Sequence, residues 1–180
     1  MFNSFFLTDG YRYSKNRFSL LKIFFSNPEY RFLVYFRICK RFKKGNIIGL
    51  FFRMLLNFNK GKFGIQIPIN TSIAKGFKIN HFGNIVINQG VKIGENCNVS
   101  QGVTLGNISR GKLQGCPTIG DRVWIGANSV VVGKITIGND VLIAPLSYVN
   151  FDVPDNAVVM GNPASIVSYN GSGVYLKNIN

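Results

Sequence analysis

An aliphatic residue recurs every six positions through most of the second part of this chain. Ile67, Ile73, Ile79 and Ile85 keep the step. Ile87, Ile93, Val99 and Leu105 keep it again, and so do Ile119, Ile125, Val131, Ile137, Ile143 and Val149. Small residues follow many of these positions, among them Gly94, Ser100, Gly106, Gly120, Gly126, Gly138 and Ala144. A period of six matches neither an amphipathic helix nor a half-buried strand of a flat sheet. It suits a chain wound into three-sided coils, with one hexad per side. Each aliphatic side chain then points inward and stacks on its equivalent one coil away. The small residue beside it lets the backbone turn a tight corner, where a Cβ is costly. The pattern predicts a mainly β fold, a parallel β-helix.

The repeat breaks twice. Ile85 and Ile87 lie two apart, so extra residues enter just after His81. Leu105 and Ile119 lie 14 apart, which predicts that residues 107–118 leave the coil as a Gly-rich loop carrying Arg110 and Lys112. Departures from a repeat are where functional groups gather. His81, the only histidine of the chain, stands at the first of them.

Residues 1–64 have a different chemistry. They hold 13 Lys/Arg against 2 acids, a net +11, whereas residues 65–180 hold 8 against 5, a net +3. They also hold 13 of the 16 Phe. Asn27-Pro28-Glu29 reads as a helix start, with Asn as N-cap, Pro at the first helical position and an acid in the first turn. Lys43-Lys44-Gly45 reads as the end of that helix. A second apolar stretch, Ile47 to Phe58, predicts at least one more helix, and Lys60-Gly61-Lys62-Phe63-Gly64 reads as a linker. The expected organisation is a basic, Phe-rich helical region over 1–64, a β-helix over 65–167 and a tail over 168–180. The apolar faces of the helices pack on the rest of the protein or lie on an anionic membrane surface. The charge comes with no nucleic-acid-binding motif. Cys39, Cys97 and Cys116 fit no disulfide framework or metal spacing, which points to a reduced, cytoplasmic setting. No apolar run is long enough to span a bilayer, and no basic segment precedes the first apolar residues as in a secretory signal.

Six segments carry a family resemblance: Ile79-Asn80-His81-Phe82-Gly83-Asn84, Gln101-Gly102-Val103-Thr104-Leu105-Gly106, Pro117-Thr118-Ile119-Gly120-Asp121, Val123-Trp124-Ile125-Gly126-Ala127, and Asp152-Val153-Pro154 with Gly161-Asn162-Pro163-Ala164. Together with the hexads they resemble the left-handed parallel β-helix acyltransferases. The closer likeness is to serine O-acetyltransferases and to the O-acetyltransferases of polysaccharide gene clusters. The resemblance implies that His81 is the general base, taking the proton of an acceptor hydroxyl as it attacks a thioester carbonyl. An imidazole suits that role near neutral pH.

The departures from the serine enzymes bear on the acceptor. Where those have an Asp that engages the amino group of serine, this chain has Asn80. Where they have a second His at the end of the extended loop, it has Cys116. Where they have an Asp that orients the catalytic His, it has Gln66. Asn80, Gln66 and Cys116 are thus the expected acceptor-binding positions. The loss of charge at residue 80 favours a sugar hydroxyl over free serine, since amides bond hydroxyls without demanding charge. The group that orients His81 is left open among a backbone carbonyl, Asp9 and Glu29. Cys116 beside Lys112 and Arg110 also admits a nucleophile reading, but the family mechanism is direct transfer.

The resemblance further implies acetyl-CoA as donor, with no metal. It places the pantetheine arm along Gly106, Asn107, Gly126, Ala127, Ala144 and Pro145. Arg110, Lys112 and Lys134 are the candidate phosphate partners. A groove between prisms implies a homotrimer. The reading is an acetyltransferase that modifies a sugar of a bacterial surface polysaccharide, on a sugar or lipid-linked oligosaccharide acceptor. Its rivals are serine O-acetyltransfer and a non-catalytic β-helix that binds partners.

Overall fold

The computed structural model describes residues 2–16, 18–42 and 45–179. Four helices come first: α1 (Phe2–Tyr11), α2 (Ser19–Ser26), α3 (Pro28–Arg41) and α4 (Ile47–Phe63). α3 starts as its sequence predicts. The Asn27 side chain accepts the Tyr30 amide at 2.8 Å, Pro28 opens the helix, and Lys40 and Arg41 close it. Lys43 and Lys44, expected at its end, lie outside the described residues. α4 is capped by Asn46, whose side chain accepts the Gly49 amide at 3.1 Å.

The stretch from Lys60 to Gly64 is not a linker. Helical hydrogen bonding continues through Phe63, and Gly64, at φ 61°, ends the helix in the left-handed conformation. A glycine in that position stops a helix in one residue, so no flexible connector is needed before the first strand at Ile65.

The coil begins there. Its first turn holds β1 (Ile65–Gln66), β2 (Ser72–Ile73) and β3 (Lys78–Ile79), and its second β4 (Ile85–Ile87), β5 (Lys92–Ile93) and β6 (Asn98–Val99). The third holds β7 (Thr104–Gly106), β8 (Thr118–Ile119) and β9 (Trp124–Ile125), and the fourth β10 (Val130–Val132), β11 (Thr136–Ile137) and β12 (Leu142–Ile143). β13 (Tyr148–Val149) opens a last turn, and β14 (Val158–Gly161) and β15 (Ala164–Ser168) close it as an antiparallel pair. Every other named pairing is parallel. The three faces run β1-β4-β7-β10-β13, β2-β5-β8-β11 and β3-β6-β9-β12-β14-β15.

The register stacks like on like: Ile87 on Leu105 and Val131, Ile93 on Ile119 and Ile137, Ile79 on Val99, Ile125 and Ile143. All are buried. The same register measures the two breaks. Trp124 and Leu142, one regular coil apart, are 18 residues apart in sequence. Lys78 and Asn98 are 20 apart, and Asn98 and Trp124 are 26 apart. Two extra residues therefore enter after Ile79, and eight enter after Leu105. The second excursion is shorter than 107–118. Thr118 already lies on β8, and the loop closes on itself through antiparallel bonds between Ile108 and Gly115, at 3.0 and 2.9 Å.

The helices share the core of the coil. Phe32, Leu33, Phe36, Cys39 and Leu56 belong to one buried cluster with the stacked aliphatics. Arg37 and Asp9 form a buried ion pair at 2.8 Å. Arg37 also donates to the carbonyls of Ile73 and Ala74, and Asp9 accepts the amides of Gly76 and Phe77. This knot fastens α1 and α3 to the corner after β2. One face of α4 stays uncovered: Ile47, Leu50, Phe51, Met54 and Phe58 are all more than half exposed. Among the described residues, no helix is long and apolar enough to cross a membrane.

Candidate active site

His81 stands two residues beyond the end of β3, at the corner where the two extra residues enter. Gly83 and Asn84 turn the chain there with φ 114° and 50°. The imidazole is exposed and makes no hydrogen bond with another described residue. It opens onto a cleft of about 460 Å³ lined by Lys78, Asn80, His81, Ser100, Gln101, Trp124, Ala127 and Pro145. None of these is a carboxylate. Burial, reinforced by the Arg12 and Lys177 charges, lowers the pKa of the Lys78 ammonium.

The coil explains why these residues meet. Lys78, Asn98 and Trp124 stand in register on adjacent strands. Asn80 and Ser100 follow two positions later, just past the ends of β3 and β6, so they too are neighbours. Asn80 Nδ2 donates to Ser100 Oγ at 3.3 Å. Asn98 Nδ2 donates to Asn80 Oδ1 at 3.2 Å, and Arg12, fully buried below, donates to Asn98 Oδ1 and to the Gly76 carbonyl. A fixed cation thus sets the orientation of two amides in sequence. The Asn80 oxygen is engaged from below, and its nitrogen points toward the cleft side.

Two acids were candidates for orienting His81. Asp9 is committed to Arg37 and to the Gly76 and Phe77 amides, away from the imidazole. Glu29, buried in the first turn of α3, accepts the Phe82 amide at 3.0 Å. It holds the peptide that follows His81 rather than the ring.

The other predicted residues divide into two groups. Gly126 and Ala144 are buried beside the cleft, with Ala127 and Pro145 on its wall. A Cβ on Gly126 would come within 2.5 Å of the Pro145 nitrogen, so only glycine fits that corner. The second group lies at the opposite end of β7 and β10. Gly106 ends β7, Asn107 follows it, and Cys116 Sγ lies 3.4 Å from Asn88 Oδ1 and 3.8 Å from Asn107. Arg110 and Lys112 stand exposed on the loop, and the exposed Lys134 is bonded through its amide to the Leu113 carbonyl at 2.9 Å. Gln66 is exposed on β1 and lines a separate cleft of about 400 Å³ with Lys60, Val86 and Asn88. Within one chain, Gln66 and Cys116 therefore do not share the cleft of His81 and Asn80. A three-residue strand, roughly 10 Å long, separates the two edges of this face.

Cys97 is buried at an inward position, and burial pushes its thiol up to about 12. Sequence reasoning missed Ser100, Gln101, Asn98 and Arg12. Ser100 and Gln101 had a legible signal, since they stand one 20-residue coil beyond Asn80 and His81. Arg12 had none, because nothing local ties a helix-end arginine to a strand 86 residues later.

Comparison with known proteins follows the same geometry. Residues 116–150 match the family described as bacterial transferase hexapeptide (six repeats). A serine acetyltransferase of Bacillus pumilus is 35% identical over 138 residues, covering 77% of this chain and 63% of its own length. A putative colanic acid biosynthesis acetyltransferase of Escherichia coli K12 is 39% identical over 104 residues, covering 58% of this chain and 64% of its own. Among solved structures, serine acetyltransferase isoform 3 of Entamoeba histolytica, in complex with cysteine, superposes with a TM-score of 0.70 at 31% identity. That match covers 97% of this chain and 64% of that one. The chain spans less than two thirds of the length of these relatives. It carries the hexapeptide-transferase repeat, wound as a left-handed parallel β-helix, and it is similar to acetyltransferases that differ in the acceptor their names give.

Proposed function

We propose that this hexapeptide-repeat chain is an acetyl-CoA-dependent O-acetyltransferase whose acceptor is a sugar hydroxyl of a bacterial surface polysaccharide or its lipid-linked precursor. One observation carries the choice of acceptor. The His81 cleft offers two amides, a hydroxyl and a lysine but no carboxylate, so no residue lining it neutralises the ammonium of an amino acid. A desolvated, unpaired ammonium beside Lys78 is unfavourable by several kcal/mol. A sugar hydroxyl needs only the donors and acceptors of Asn80, Ser100 and Gln101. The competing reading, transfer to L-serine, is favoured by the names of several relatives.

In this reading His81 Nε2 or Nδ1 takes the acceptor proton as its oxygen attacks the thioester carbonyl, and the CoA thiolate leaves. The exposed ring is free to do so. The pantetheine arm lies against Ala127, Pro145, Gly126 and Ala144 at one edge. Gly106, Asn107, Arg110, Lys112 and Lys134 line the other edge, with Cys116 and Gln66. A homotrimer brings the first edge of one prism against the second edge of its neighbour, which unites the two groups of residues around one CoA. The experiment is acetyl-CoA turnover followed by thiol release against L-serine and a panel of glycosides. His81→Ala should lose transfer by about 10²–10⁴-fold without a change in melting temperature. Turnover with L-serine and no glycoside sinks the sugar reading.

The partner surface follows from α4. Its exposed apolar stripe faces outward, and the chain between Glu29 and Glu95 carries twelve Lys/Arg and no acid. A cationic apolar face fits an anionic lipid surface, as at the cytoplasmic leaflet. Co-sedimentation with phosphatidylglycerol vesicles at low salt tests this. Replacing Phe51, Met54 and Phe58 together with Ser should abolish it, and wild-type protein left in the supernatant ends the idea.

A further inference from the structure

We infer that Trp124 and Tyr175 form a stacking wall for the sugar ring of the acceptor, a subsite that extends the His81 cleft along the coil. The inference rests on the sugar-acceptor reading above and gives that site its shape selectivity.

Trp124 stands on β9 with its side chain outward and lines the cleft together with His81, Asn80, Ser100 and Gln101. The ring of Tyr175 lies against it, with centroids 4.8 Å apart and planes at 41°. Tyr175 arrives from the C-terminal tail, which is fixed on both sides of it. Before it, Ser172 donates its hydroxyl to the Arg122 carbonyl at 2.6 Å and its amide to the Asp140 carbonyl at 2.8 Å. Arg122 and Asp140 are themselves joined by two bonds, at 2.8 and 2.7 Å. After it, Leu176 is buried and the Lys177 carbonyl accepts from Arg12 Nε at 3.2 Å. Arg12 is the same cation that orients Asn98 and through it Asn80.

The tail is therefore anchored by a buried serine, a buried leucine and a buried arginine, yet it leaves Tyr175 53% exposed beside Trp124. Neither ring belongs to the hydrophobic core. A cleft-lining tryptophan with an anchored tyrosine packed against it matches one ligand shape well. A pyranose has an apolar face of C–H groups and a rim of hydroxyls. The face packs on the rings, and the rim meets the amides of Asn80 and Gln101 and the Ser100 hydroxyl. L-serine has no such face and would fill a small part of a cleft of about 460 Å³.

Trp124 is the only tryptophan of the chain, so its fluorescence reports this site alone. The full-length protein is titrated with methyl glycosides, with N,N′-diacetylchitobiose and with L-serine, and the emission is followed. The expected result is a saturable shift with at least one saccharide and none with L-serine. Tyr175→Phe should retain it, and Tyr175→Leu should weaken it by about three- to tenfold. The leucine variant keeps the anchors of the tail, and an unchanged melting temperature verifies its fold. Emission that no saccharide moves overturns the wall. So does an acceptor KM that is equal in wild type and Tyr175→Leu, even where the glycoside is acetylated, and in that case the sugar-acceptor reading stands. Acetylation of L-serine and of no glycoside removes both.

Discussion

Glu29 Oε1 accepts the backbone amide of Phe82 at 3.0 Å, so a buried acid of the N-terminal helices fixes the residue that follows the candidate base His81. The two residues are 53 positions apart, and the bond crosses from α3 to the corner where the coil admits its extra residues. It gives the helical region a direct hold on the geometry of the site.

That hold predicts a graded response at residue 29. Glu29→Gln keeps an acceptor oxygen for the Phe82 amide and should retain most activity. Glu29→Ala leaves the amide unpartnered, with a cost of about 1–3 kcal/mol in stability. It should lower kcat by about tenfold or more while the KM for acetyl-CoA stays unchanged. Steady-state kinetics on both variants, with melting curves, decide it. Equal losses in the two variants would assign Glu29 a role through its charge instead.

The proposed sugar acceptor makes residue 80 the position to change. Asn80→Asp places a carboxylate in a cleft that has none. It still accepts from Asn98 but no longer donates to Ser100. Turnover of L-serine relative to a glycoside should rise by about tenfold, the factor that a gain of about 1.4 kcal/mol confers. A ratio unmoved by the substitution would show that residue 80 does not read the charge of the acceptor.

The Arg37–Asp9 pair joins α3 to α1, and its bonds to the backbone of Ile73, Ala74, Gly76 and Phe77 tie both helices to the coil. Asp9→Ala would leave Arg37 buried without its carboxylate, at a cost of about 3–5 kcal/mol. Chemical denaturation should register that loss as a lower midpoint. A change under about 1 kcal/mol would mean that water reaches the pair.

Thiol chemistry separates the three cysteines. Burial raises the pKa of Cys39, and it pushes Cys97 up to about 12. A raised thiol pKa keeps the protonated, unreactive form as pH climbs past its ordinary value near 9, so neither should label in the native state at pH 8. Cys116, half-buried beside the loop, should label first. Acetyl-CoA should slow that labelling if its arm runs along Asn107. Mass spectrometry after brief alkylation reads both, and equal labelling with and without acetyl-CoA would remove the loop edge from the donor groove.

The hexad sequence determined the coil, because an inward aliphatic every six residues buries itself only on a copy of itself one turn away. It also located His81 and both breaks, since any insertion shows as a slip in the count. Asn27, Pro28 and Glu29 announced the start of α3 through local hydrogen bonding alone. Tertiary structure decided the rest, because the remaining contacts join segments that no local rule relates. The linker expected over Lys60–Gly64 is the last turn of α4, whose Leu56 belongs to the shared core. Arg12 reaches Asn98, Glu29 reaches Phe82, and Tyr175 reaches Trp124 only after the coil has wound and both chain ends have folded back onto it. A periodic sequence states its period, but the non-periodic ends act on the site through space.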